Sequence, residues 1–152
     1  MLNETQLYNN KMKFLELLSK LNIDLTALVK YLDTNDYFNK PASSQYFRPY
    51  PGGLCQYALD LYYELAQLVN AYCPGKYTEI DVIKVALFKD IYKAELFEPY
   101  VKNVKNDTTG QWEQTIAYLI DVIINQVNYG AVYTRTADTV KNVINNIHHA
   151  TV

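Results

Sequence analysis

Histidine, cysteine, glycine and long apolar runs are the scarce features of this chain. Its two histidines are the adjacent His148 and His149, and its two cysteines, Cys55 and Cys73, stand 18 residues apart with no CxxC pair. A zinc site needs about four converging ligands of this kind. Serine or cysteine nucleophiles need a histidine that the body of the chain does not supply. The cysteines read as small buried apolar side chains of a reducing compartment, not as a disulfide frame. No run approaches the ~18 charge-free apolar residues of a membrane span. The N-terminus MLNETQLYNNK has no apolar core of the kind a signal peptide carries, so the expected location is the cytoplasm. With 14 Lys+Arg against 16 Asp+Glu, the net charge of −2 gives no field that would draw the chain to nucleic acid. Neither nucleic acid nor membrane is an expected partner.

What is present is ordinary for a globular domain: 152 residues, 49% hydrophobic and 20% charged, enough for one core. Two biases stand out, 15 tyrosines and a lysine excess of 12 over 2 arginines. Both fit AT-rich coding. The tyrosines also fit a contact surface, because tyrosine brings a large area at low entropic cost.

Apolar spacing predicts a mainly α fold with one short hairpin. Leu7, Phe14, Leu15, Leu17, Leu18 and Leu21 share a helical face from Gln6 to Leu21. Asp24 is placed to cap a second helix through Leu25, Leu28, Val29 and Leu32. Residues 34–53, with three prolines and two glycines, read as an ordered loop. Leu54, Ala58, Leu61, Leu65, Leu68 and Val69 mark a strong helix ended by CPGK at 73–76. Thr78 and Asp81 form a capping box for a helix through Ile80, Ile83, Leu87 and Ile91. Residues 100–120 read as a β-hairpin, Val101 and Val104 set against Trp112 and Ile116, with Trp112 anchoring it to the helices. A last helix, capped by Thr134 or Thr136, runs through Ala137, Val140, Ile144 and Ile147. One domain spans 1–152, with N-terminal helices over 4–33 and a core over 34–147.

Four segments, LDTNDYFNKPASSQYF, PGGLCQYALDLYYEL, VALFKDIYKAELF and NVKNDTTGQWEQTIAY, resemble in order and spacing the HD-domain phosphohydrolases of bacteriophages and prophages. The resemblance covers about Leu15 to Ile147. It implies an HD-like helical bundle, shortened at its C-terminus, in a family that hydrolyses nucleotide phosphate esters with divalent metal held by histidines and aspartates. The departures fall on those ligands. The family's histidine after the PAS tract is Phe47 here, that of GGLxxH is Tyr57, and that of the His-Asp pair is Lys89, leaving Asp90. A fourth histidine position falls on Arg135 or, in another alignment, Ala131. Asp138 matches a lysine of the family pattern better than its final metal-binding aspartate.

An ammonium at Lys89 repels a divalent ion by a few kcal/mol per unit charge at ~4 Å, even at a surface-like dielectric. The resemblance therefore implies a pseudoenzyme with no metal and no cofactor. Two readings stand for Phe47, Tyr57, Lys89, Asp90 and Arg135. In one they are a remodelled pocket that takes an anion such as a nucleotide phosphate. In the other they are a former site filled by its own side chains, with Lys89–Asp90 an internal ion pair and Asp90 a helix-interior acceptor. The expected function is a virus-encoded module binding a protein partner or its own copy. The alternatives are metal-independent binding of a nucleotide or cyclic nucleotide, and residual hydrolysis around Asp90 and Asp138. His148 and His149 are read as bystanders.

Overall fold

The computed structural model describes residues 1–120, and of residues 116–120 the backbone. The expected last helix, Arg135, Ala131, Asp138 and His148–His149 lie outside the described residues. Four α-helices and one antiparallel hairpin make up the described part, as the apolar spacing predicts.

Helix α1, Glu4–Ser19, begins at a capping box. The Asn3 side chain accepts the Gln6 amide at 2.8 Å and the Gln6 side chain accepts the Asn3 amide at 2.9 Å. Its inner face buries Phe14, Leu17 and Leu18. Helix α2, Thr26–Thr34, buries Leu28, Tyr31 and Leu32. Its cap is Leu25 and not Asp24. Asp24 stands one residue earlier, and its carboxylate takes the Thr26 amide at 3.0 Å and the Thr26 hydroxyl at 2.7 Å. Those bonds hold the Asp24 carboxyl below its ordinary value.

A 3₁₀ turn, Tyr37–Asn39, leads into the proline-rich loop. Backbone bonds stitch this loop into place: the Ala42 amide donates to the Arg48 carbonyl and the Leu54 amide to the Lys40 carbonyl. Within it Pro41 and Ala42 are buried. Helix α3, Gly53–Tyr72, buries Gly53, Leu54, Cys55, Ala58, Leu59 and Tyr62, and no residue after Tyr62. Helix α4, Glu79–Phe88, opens at the expected Thr78–Asp81 capping box. It closes at Lys89, before Ile91, which belongs to a 3₁₀ turn spanning Ile91–Glu95.

One apolar cluster joins these elements. Phe14 meets Tyr37 and Phe38 with ring centroids 5.1 and 5.5 Å apart, and Ile83, Leu87 and Ile91 close the cluster from the α4 side. At its edge, Glu79 in the first turn of α4 accepts from Lys20 Nζ at 2.7 Å and from the Tyr62 hydroxyl at 2.8 Å. It thus ties α4 to α3 and to the end of α1.

Strands β1, Phe97–Lys105, and β2, Trp112–Ile120, pair antiparallel. The register sets Val101 opposite Ile116 as expected, but Val104 opposite Glu113 and Trp112 opposite Lys105. The hairpin begins at Phe97, earlier than residue 100, and Phe97 is its one buried residue in β1. Trp112 does not anchor it: the indole is 71% exposed. The turn is held instead by the Asn106 side chain, which accepts the Thr108 and Thr109 amides at 2.9 and 3.2 Å. Gly110 supplies the positive φ, at 71°.

Candidate functional site

Phe47, Tyr57, Lys89 and Asp90 come from a loop, a helix and a helix end, and they meet. The loop places Phe47 because the Ser43 hydroxyl accepts its amide at 2.8 Å and because Arg48 adopts a left-handed φ of 50°. The Phe47 ring then stands edge-on to Tyr57 of α3, centroids 5.2 Å apart at 90°. Lys89, at the C-cap of α4, carries its ammonium 5.6 Å from the Tyr57 ring centre and 3.5 Å from the Tyr57 hydroxyl. Its strong partner is Asp90, at 2.9 Å.

Three residues that spacing did not single out complete the arrangement. Lys93 reaches the other Asp90 oxygen at 3.5 Å. Its position three residues after Asp90 was a readable signal. Arg48 lies over the Phe47 ring, 5.2 Å from its centre, and pairs with Asp60 of α3 at 2.6 Å. Nothing in the sequence joins positions 48 and 60. They meet because the loop folds back on the helix it leads into. The result is one continuous row: Asp60, Arg48, Phe47, Tyr57, Lys89, Asp90, Lys93.

The Lys89–Asp90 pair is not internal on both sides. Asp90 is 13% exposed, whereas Lys89 is 53% exposed, so the carboxylate is sunk and one ammonium stands in water above it. Asp90 is not inside a helix either, since it lies between α4 and the following 3₁₀ turn. The Asp90 carboxylate raises the Lys89 ammonium above the ordinary lysine value, against the opposing effect of burial. The ammonium therefore stays charged across the physiological range.

The residues brought together do not fit a divalent cation. Of the four described positions only Asp90 offers an anionic oxygen, and two ammonium groups already share it. Among the described residues no three His, Cys, Asp or Glu side chains converge. The row offers instead stacked aromatic area flanked by cations, which suits aromatic or anionic groups without metal. A separate cleft of about 170 Å³, bounded by Lys11, Asp33, Asp36 and Phe38, shares no residue with it. Its Lys11–Asp33 pair is long, at 3.9 Å, and open to solvent on both sides, which makes it weak.

No helix of the described residues is long and apolar enough to cross a membrane. No family model, curated protein or solved structure matches this chain.

Proposed function

We propose that this chain is a degenerate relative of the phage-type HD phosphohydrolases that has given up metal chemistry and acts by binding a protein partner. The observation that carries the reading is the convergence itself. Three segments separated by 10 and 32 residues along the chain bring Phe47, Tyr57 and Lys89–Asp90 into one contact row, as positions of a shared ancestral metal site would. What occupies them is mutually satisfied: ring on ring, ammonium on ring, two ammoniums on one carboxylate. Such a cluster keeps the scaffold folded without an ion and leaves its outer surface to recognition.

That surface is aromatic. Tyr46 is 89% and Phe47 47% exposed at the loop crest, beside the Arg48 guanidinium, the composition that dominates protein contacts. A nucleotide or cyclic nucleotide is the second reading. One feature favours it: the half-exposed Lys89 ammonium over the Tyr57 ring, a cation beside a stacking surface.

The test has two arms on the purified chain. Thermal melts with Mn²⁺, with nucleotides and with both are expected to coincide with the melt of the chain alone. A shift that requires Mn²⁺ overturns the loss of metal chemistry, and a metal-independent nucleotide shift moves the assignment to the second reading. A saturating ligand at about a hundred times its Kd adds ~2.7 kcal/mol, so silence is informative. In the second arm, partner capture from a bacterial host lysate is expected to be lost with Tyr46→Ala and Phe47→Ala and kept with Lys89→Ala. Capture indifferent to all three removes the loop crest as the recognition surface.

A further inference from the structure

The two edges of the hairpin are chemically unequal, and the inequality points to a specific use. Asn106 donates its backbone amide to the Gln111 carbonyl at 2.8 Å, so even-numbered residues of β1 aim their backbone groups at β2. Odd-numbered residues of β1, and their partners 112, 114, 116, 118 and 120 of β2, aim theirs outward. On the β1 edge the outward group at position 99 is a proline nitrogen, which cannot donate. That edge also carries Lys102 and Lys105. These are the devices by which natural sheets refuse an added strand. The β2 edge, WEQTIAYLI, has no proline, no lysine and a single charge at Glu113. Among the described residues nothing pairs with it.

We infer that the β2 edge is a self-association site at which two copies of this chain join β2 to β2 antiparallel, giving a four-stranded sheet ordered β1-β2-β2-β1. Three features select a second copy over a foreign strand. A two-fold axis through Ile116 pairs every described residue of β2, Trp112–Ile120, with one of the partner. At that register residue 116, whose backbone groups point outward, meets its own counterpart and exchanges both amide bonds. Glu113 falls opposite position 119 of the other copy, so the one charge on the strand never meets its like. Pairing β2 with the β1 edge of another copy would propagate into a filament. Pro99 and the two lysines block that route and leave the closed dimer. The site uses none of Phe47, Tyr57, Lys89 or Asp90, so it stands or falls independently of the proposed protein recognition.

The test is the mass of the full chain in solution across a dilution series, by sedimentation equilibrium. The expected value is twice the 17.6 kDa chain mass, falling to one chain mass for Ile116→Pro. That proline removes an outward amide and no bond between β1 and β2, as Pro99 does on the other edge. If Ile116→Pro disturbs the fold by circular dichroism, Ile116→Cys combined with Cys73→Ser decides. Hydrogen-bonded antiparallel pairs hold Cα atoms ~5.5 Å apart, within disulfide reach, so mild oxidation is expected to give a covalent dimer. A chain monomeric at every concentration overturns the inference. So does a dimer that survives Ile116→Pro in a folded protein, and so does failure of the 116–116 cross-link.

Discussion

Replacing Gly53 by alanine tests the packing that holds the Phe47 loop on α3. Gly53 does not have a positive φ, so backbone conformation alone tolerates alanine there. Space does not. A Cβ at Gly53 falls on the Arg48 carbonyl oxygen and lies 3.0 Å from Arg48 Cβ. Neither is the far end of a flexible chain, so the loop must move. The same carbonyl accepts the amide of Ala42, a residue only 2% exposed. Moving it leaves the buried Ala42 amide without its acceptor, at a cost of about 1–3 kcal/mol. That is roughly 3–12 °C in Tm for a chain of this length. Gly75→Ala is the matched control, because Gly75 has φ of +75° but nothing within 4 Å of the added methyl. There the left-handed penalty of ~1–2 kcal/mol is partly offset by the smaller entropy of the unfolded chain. Calorimetric melts of the two variants decide. If Gly53→Ala melts within about 2 °C of the parent, or above Gly75→Ala, the loop is not seated as described.

Two further outcomes follow from the hydrogen-bonded and buried groups. Glu79 is held below the ordinary glutamate value by its bonds from Lys20 and then Tyr62. A carboxyl lowered in the folded state stabilises the fold above its unfolded value, and that contribution disappears as pH falls through its folded value. Urea midpoints at neutral pH and near pH 3 are therefore expected to differ less for Glu79→Gln than for the parent. An unchanged difference removes Glu79 from the acid response. The second outcome concerns thiols. Burial pushes the Cys55 thiol up to about 12, whereas Cys73 is only partly buried. Iodoacetamide on the native chain should modify Cys73 and leave Cys55 until urea is added, and modification of Cys55 in the folded protein contradicts its burial.

Local rules were legible where both partners of an interaction lie within one turn. The Thr78–Asp81 capping box was readable from its spacing, and Asn3–Gln6 follows the same spacing with an amide pair in place of hydroxyl and carboxylate. Asp24 marks the start of α2 without being its cap, because an aspartate can serve the first helical amides from one residue further out. The hairpin was legible from its turn, but its register only at Val101 and Ile116. The Asn106 turn fixes which residues oppose each other, and that sets Trp112 beside Lys105 and in solvent. At the candidate site, Phe47, Tyr57, Lys89 and Asp90 were reached by resemblance of motifs. Lys93 was reachable by its helical offset from Asp90. Arg48–Asp60 was not reachable, since it arises only when the loop folds back against α3.

The burial pattern along α3 bears on how the molecule opens. The helix is anchored over Gly53–Tyr62 and has no buried residue over its last ten positions. Amides near Leu54–Tyr62 can exchange with solvent only when the whole domain unfolds. Beyond Tyr62 in this helix only Leu65, Ala66 and Val69 reach the cluster, each partly buried, so amides from Tyr63 onward are expected to exchange faster, increasingly so toward the fraying last turn. A single helix therefore belongs to two stability classes. Deuterium uptake along it should show a step just past the Tyr62–Glu79 bond, with that tyrosine hydroxyl marking where slow protons give way to fast ones.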